Sequence, residues 1–206
     1  MDDLRRKIDV EYVPNEMDIF EKIVTEMEIG NALDRFLEKP TPYPPSILRA
    51  SNLGRNWADV LGDDEKEVHV LRKRGLIQGT IERTFLYTDE YLKYIGKNPD
   101  NVDKEHYNDM VISVLWDYVR TFTFGRMGED MASDILDIDH NIGHMSKKEA
   151  NKLENKGIDL IDSDNVTYQV KVRTEWGGKQ RQTWVKNADR LIIVNCERNE
   201  VGVFDP

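Results

Sequence analysis

The segment GIDLIDSDNVTYQVKVR, residues 157–173, contains two short apolar-rich runs separated by the turn-forming residues Asp162–Asn165. Residues of these types favour the tight turn of a β-hairpin, so the segment predicts two neighbouring antiparallel strands. Asp159 lies at the start of the first strand. Gln169 and Lys171 are two residues apart on the second strand, which directs both side chains to the same face. The hairpin therefore predicts that the three side chains meet.

The rest of the chain predicts an α/β protein (α+β mixed) with a central mixed β-sheet flanked by helices. RLIIVNCE and VGVFDP read as further strands after the hairpin. Apolar residues recur at helical spacing over residues 17–39 and 106–137, and Gly125 and Gly128 divide the second stretch into two helices. The proline-rich PTPYPP, residues 40–45, predicts an extended connector. We expect a mainly helical N-terminal part, residues 1–115, and a β-rich core, residues 116–206.

Composition narrows the class of protein. The 206 residues are 39% hydrophobic and 33% charged, as in ordinary globular proteins. The single cysteine, Cys196, cannot form an internal disulfide, and no apolar run could span a bilayer, so we expect a cytoplasmic protein without membrane contact. The net charge of -10 argues against non-specific affinity for nucleic acid. Residues 165–190 nevertheless hold six basic and two acidic residues, which makes this segment locally positive.

The three hairpin residues suit phosphodiester hydrolysis. That reaction needs a metal ion to neutralise the phosphate, oxygen ligands to hold the ion, and a group that positions water. Asp159 supplies a carboxylate and Gln169 a neutral amide oxygen, while Lys171 can stabilise phosphate charge or orient the water. Hard oxygen ligands favour Mg²⁺ over zinc.

The stretch GIDLIDSDNVTYQVK resembles the Asp, spacer, (Glu/Gln)-x-Lys signature of the PD-(D/E)xK nuclease superfamily. Its Gln variant is similar to that of Mrr-type restriction enzymes. The resemblance covers roughly residues 120–206 and implies a restriction-endonuclease-like core. It also implies an acidic residue on the preceding helix, where Glu129 stands, as a further catalytic and metal-binding group. Because Gln169 is neutral and weakens metal binding, either Glu129 compensates or the site is impaired.

Two segments are candidates for contact with DNA. YPPSILRASNLGRNWADVLG distantly resembles the N-terminal region of some small type II restriction endonucleases, which implies recognition of base edges by Arg49, Asn52, Arg55 and Asn56. Arg173, Lys179 and Arg181 lie beside the motif, interleaved with Trp176 and Trp184, and could bind the DNA backbone. They could equally form an exposed loop with two core tryptophans.

We therefore expect a type II-like restriction endonuclease that cuts double-stranded DNA with Mg²⁺ and leaves 5′-phosphates. A palindromic site presents two equivalent strands, so the enzyme is expected to act as a homodimer. Two alternatives stay open. One is a repair or recombination nuclease, such as a Holliday-junction resolvase or an exonuclease. The other is an inactive DNA-binding protein with the nuclease fold.

Overall fold

The computed structural model describes residues 4–39, 64–138, 140–141, 153, 156–173 and 187–205. Only the backbone is described for residues 64–74, 121, 140, 141 and 173. The chain divides into two compact units. One is discontinuous and combines residues 1–15 with residues 124–206, and the other spans residues 16–123. From the sequence we expected a boundary between residues 115 and 116, with a mainly helical part before it.

The discontinuous unit contains a six-stranded sheet in the order β1-β6-β5-β4-β3-β2. Strands β4 and β5 are parallel, and all the other neighbours are antiparallel. The expected mixed α/β class is therefore confirmed. The strands are β1 (Leu4–Asp9), β2 (His140–Asn141), β3 (Leu160–Ile161), β4 (Thr167–Arg173), β5 (Arg190–Asn195) and β6 (Glu200–Phe204).

Strand composition explains where the core lies. β5 and β6 are almost continuously apolar and are buried along nearly their whole length, as expected of central strands. On β4 the buried side chains Tyr168, Val170 and Val172 alternate, and they join residues of β5, β6 and the helix Phe124–Leu136 in one hydrophobic cluster. This helix therefore packs on the β4 face that carries Val170 and Val172. Gln169 and Lys171 lie on the other face of the strand.

Strand β1 was not predicted from the sequence. Five of its six residues, all except Ile8, are exposed. The strand is held by its ladder with β6 and by ion pairs from Arg5 to Asp205 and from Lys7 to Glu200. Charged side chains protect such an edge from pairing with another chain. The apolar pattern used to recognise a strand is therefore missing here.

The second unit consists of helices. They are α1 (Glu16–Glu26), α2 (Gly30–Glu38), α3 (Asp64–Tyr94) and α4 (Lys104–Tyr118), followed by a π-helical turn, Val119–Thr123; the helix Phe124–Leu136 of the first unit is α5. A short 3-10 turn, Pro99–Asn101, precedes α4. Gly75, with φ of 76°, kinks α3. The helical pattern predicted for residues 17–39 is confirmed, and it corresponds to two helices, α1 and α2.

Packing within the helical unit combines an aromatic cluster with an unusual polar helix face. Phe20, Phe36 and Trp116 contact one another at ring-centroid distances of 5.1–6.1 Å. Thr80, Thr84 and Thr88 lie on one buried face of α3, and each hydroxyl donates to the carbonyl four residues earlier. These bonds satisfy the hydroxyls inside the helix, so the face can be buried without the free-energy cost of unpaired polar groups. Among the residues that the structure describes, no helix is long and apolar enough to cross a membrane.

Candidate functional site

Strands β3 and β4 separate at Asp159. Leu160 pairs with Tyr168 and Ile161 with Thr167 in antiparallel register. One residue earlier the register is lost, because the Asp159 amide also turns to Tyr168 and donates to its carbonyl oxygen at 2.8 Å. The Asp159 Oδ2 then accepts the Val170 amide at 2.7 Å. The Asp159 carboxylate thus accepts the Val170 amide in place of the backbone carbonyl that a longer β3 would supply.

The turn between the two strands fixes this arrangement. Asp162 Oδ1 accepts the backbone amides of Asp164 at 3.0 Å and Val166 at 2.9 Å, and Asn165 takes φ of 61°. The Tyr168 hydroxyl donates to Asp162 Oδ2 at 2.7 Å. Burial alone would raise the pKa of Asp162, but these hydrogen bonds outweigh it and hold the pKa below its usual value. The hairpin expected from the sequence is confirmed.

Gln169 lies close to the backbone of Gly157. A Cβ added at Gly157 would stand 2.8 Å from Gln169 Nε2, and Gly157 has φ of 70°, a region that L-residues rarely adopt. The other amide atom, Oε1, is buried and has no hydrogen-bond partner. A buried acceptor without a partner costs roughly 1–3 kcal/mol, so this oxygen is suited to a cation or a hydrogen-bond donor. Lys171 follows on the same face of β4 and is half-buried.

Glu129 brings a second carboxylate to Asp159. It lies on α5, is 14% exposed, and forms an ion pair with Arg126 at 2.6 Å. Burial, opposed by Arg126 and reinforced by the charges of Asp159 and Asp130, raises the pKa of Glu129 to about 7. The two carboxylates are therefore close enough to repel each other. Their repulsion is the electrostatic condition that a bound divalent cation would relieve.

Gly128 explains how α5 approaches the sheet closely enough. It is buried, and a Cβ added there would overlap Val172 Cγ2 on β4. Since Glu129 is the next residue, the helix-to-sheet contact and the carboxylate position are set together. The structure thus brings Glu129 near Asp159, whereas Gln169 and Lys171 lie on the face of β4 that points away from α5.

The side chains around Asp159 supply only some of the oxygen ligands that a hard cation needs. Among the described residues, no three His, Cys, Asp or Glu side chains are grouped as a metal site. Glu129 and Asp159 instead offer two carboxylates, and Gln169 offers a buried oxygen without a hydrogen-bond partner on the other face of β4. Mg²⁺ commonly keeps several waters and takes one or two protein carboxylates together with substrate phosphate, so a small protein ligand set is compatible with it.

Most of the DNA-contact candidates fall outside the described residues. Arg173 ends β4, where its backbone pairs with Asn195, but its side chain is not described. The others lie in segments that the structure does not describe: Arg49, Asn52, Arg55, Asn56, Lys179 and Arg181.

Sequence reasoning missed two residues of the site. Arg126 precedes Glu129 by three positions, a spacing that brings two helical side chains together, so the pair was visible once a helix was assumed. Gly157 stands two positions before Asp159, but nothing local indicated that a side chain from the next strand would cover it.

Comparison with protein-family models, with curated proteins and with solved structures found no match to this chain. The function is therefore argued from its own residues.

Proposed function

We propose that this protein is a magnesium-dependent DNA endonuclease of the PD-(D/E)xK type with a restriction-endonuclease-like core. The observation that carries the proposal is the opening of the β3–β4 hairpin at Asp159. There the Asp159 carboxylate replaces a strand partner and accepts the amide of Val170, and the preceding residue on β4, Gln169, has a buried side-chain oxygen without a hydrogen-bond partner. A purely structural hairpin would gain stability by continuing the ladder and pairing that oxygen.

Each residue has a role that its position supports. Asp159 and Glu129 would hold Mg²⁺, which when bound neutralises charge on the scissile phosphate. For Gln169 to be a further ligand, its oxygen must reach the end of β3 where Asp159 lies. Lys171 either stabilises phosphate charge or orients the attacking water. Val170 donates its amide to Asp159 Oδ2, which fixes the carboxylate before any ligand arrives.

Site-specific cleavage of double-stranded DNA, 5′-phosphate ends and a homodimer complete the proposal. They rest on the family resemblance and on substrate symmetry. The candidate contacts Arg49, Asn52, Arg55 and Asn56 would read the bases, and Arg173, Lys179 and Arg181 would bind the backbone.

The test is a Mg²⁺-dependent digest of a long defined DNA, followed by sequencing of the ends. Discrete fragments with 5′-phosphates are expected from the wild-type chain. Asp159→Asn keeps an oxygen that can accept the Val170 amide but removes the charge, and Lys171→Met keeps most of the apolar stem. Each should lower the cleavage rate at least about 100-fold, because metal and charge stabilisation contribute several kcal/mol to such transition states.

Two matched controls separate chemistry from stability. Asp164→Asn changes an exposed acid in the same hairpin, and Lys156→Met changes an exposed lysine just before it. Both should cut at the wild-type rate. Cleavage that survives Asp159→Asn and Lys171→Met, with a Mg²⁺ requirement intact, would show that the reaction occurs elsewhere.

A second candidate function is DNA binding without cleavage, and the neutral Gln169 favours it. Under this alternative the wild-type chain binds DNA but leaves it intact, and Gln169→Glu should restore Mg²⁺-dependent cutting. A repair or recombination nuclease is the other outcome of the same assay. Selective cutting of branched or single-stranded DNA, with linear duplex left intact, would identify it.

A further inference from the structure

Arg126 contacts a carboxylate of the candidate site. Its Nη1 lies 2.6 Å from Glu129 Oε2, and the two side chains are 20% and 14% exposed. Partial burial strengthens the pair, because water screens it poorly. Without a metal ion, Arg126 therefore offsets part of the charge that Glu129 and Asp159 bring together.

A guanidinium and a divalent cation cannot share this carboxylate at low cost. Arg126 has only donors and cannot lose its proton, so it cannot adapt to a second positive charge beside it. The side chain is long and keeps a fifth of its surface in solvent, which gives the guanidinium a route outward. Metal binding and the ion pair should therefore compete.

We propose that Arg126 is the exchangeable counter-ion of Glu129, held in the metal-free site and displaced when a divalent cation binds beside Asp159. The proposal rests on the metal site of the proposed function. Arg126 is thereby a positioning residue: it holds the Glu129 carboxylate in place, and it sets how much Mg²⁺ is needed to fill the site.

The experiment follows thermal unfolding of the full chain in EDTA and through a Mg²⁺ titration at constant ionic strength, without DNA. Arg126→Met should unfold at a lower temperature than wild type in EDTA, because Glu129 loses its counter-ion. Its half-saturating Mg²⁺ concentration should be about tenfold lower than that of wild type, equivalent to about 1.4 kcal/mol. Arg126→Lys, which keeps the charge, should stay close to wild type.

A matched control removes another ion pair of the same length. Arg35 lies 2.6 Å from Asp109 in the helical unit, so Arg35→Met should lower the unfolding temperature without changing the Mg²⁺ response. Glu129→Gln removes the charge that Arg126 balances, and in that background Arg126→Met should no longer alter the Mg²⁺ midpoint. This pair of variants also keeps the test available if Arg126→Met alone does not fold.

Three outcomes would contradict the proposed exchange, and each has a different meaning. Equal Mg²⁺ midpoints in wild type and Arg126→Met would overturn the exchange while leaving the metal site in place. An effect of Arg126→Met that persists beside Glu129→Gln would overturn it as well. If neither wild type nor Arg126→Met responds to Mg²⁺, the metal site itself is refuted and the exchange with it.

Discussion

Replacing Gly128 by alanine tests the contact that sets the position of α5. The new Cβ would overlap Val172 Cγ2, and valine is stiff about its first side-chain torsion, so the helix or the strand must shift. Overpacking of this kind costs about 1–3 kcal/mol, while alanine gains up to about 1 kcal/mol of helix propensity. The expected net loss is about 0.5–2 kcal/mol in the free energy of unfolding.

Gly125 provides the comparison within the same helix. It is exposed, and a Cβ added there meets nothing within 4 Å, so Gly125→Ala should be neutral or stabilising by up to about 1 kcal/mol. Urea denaturation followed by circular dichroism measures both variants. If Gly128→Ala is as stable as Gly125→Ala, α5 does not approach β4 as described, and the placement of Glu129 beside Asp159 loses its support.

A double substitution locates the cause of the loss. Val172→Ala alone should destabilise the protein by removing buried methyl groups, but together with Gly128→Ala it frees the space that the new Cβ needs. The combined loss should therefore be smaller than the sum of the two single losses by about 1 kcal/mol or more. Additive losses would place the strain elsewhere.

Three further predictions concern single groups. Gly157→Ala should lower the free energy of unfolding in urea by about 1–2 kcal/mol, because φ of 70° disfavours L-residues and the new Cβ would press on Gln169. The variant should also bind Mg²⁺ more weakly. A stable variant with wild-type binding would contradict the Gln169 contact. Thr80→Val should lower the free energy of unfolding by about 1–3 kcal/mol, because Thr123 Oγ1, 3.0 Å from Thr80 Oγ1, loses its buried partner. The double variant Thr80→Val with Thr123→Val should lose less than the sum of the two single variants. Thermal unfolding of the three variants and wild type checks this. Asp162 has a pKa below its usual 3.8, so its stabilising effect is present above that pH and is lost as the pH falls through the lowered value. Asp162→Asn should therefore reduce the loss of stability that wild type shows at acid pH. If stability at acid pH falls as in wild type, other carboxylates cause the loss.

The strands that could be predicted are those whose burial is visible in local sequence. RLIIVN and EVGVF are central strands with almost no polar interruption, and in TYQVKVR the buried Tyr168, Val170 and Val172 alternate with other residues. Strand β1 escaped prediction because its partner is distant in sequence and its side chains are mostly charged. Local pattern carries no information about such a pairing.

The helix break between α4 and α5 shows a different limit. Glycine at 125 and 128 indicated two helices, which the structure has, but the irregular turn lies at Val119–Thr123. Gly128 instead lies inside α5, where it allows close packing on Val172. A glycine in a helix can mark an end or a close contact, and only the neighbouring strand distinguishes the two.

The candidate site could be predicted only where geometry follows from spacing. Gln169 and Lys171 are two residues apart on a strand, so their side chains lie on one face, and this follows from the sequence without knowledge of the tertiary structure. The approach of Glu129 to Asp159 depends on how α5 docks, and the carboxylate bond to Val170 depends on the loss of register at Asp159. Neither event has a local signal, so Glu129 rested on family resemblance and the Val170 bond was not foreseen.

The discontinuous unit has a consequence for biosynthesis. Strand β1 leaves the ribosome before the helical unit but pairs with β6, which begins roughly 190 residues later. At about 5–20 residues per second the nascent chain waits about 10–40 s for that partner. The intervening helical segment emerges completely in the meantime, so it can fold around its own aromatic cluster while the first strand remains unsheltered. The order of synthesis thus favours helices before sheet, and the sheet closes only when the last strand arrives.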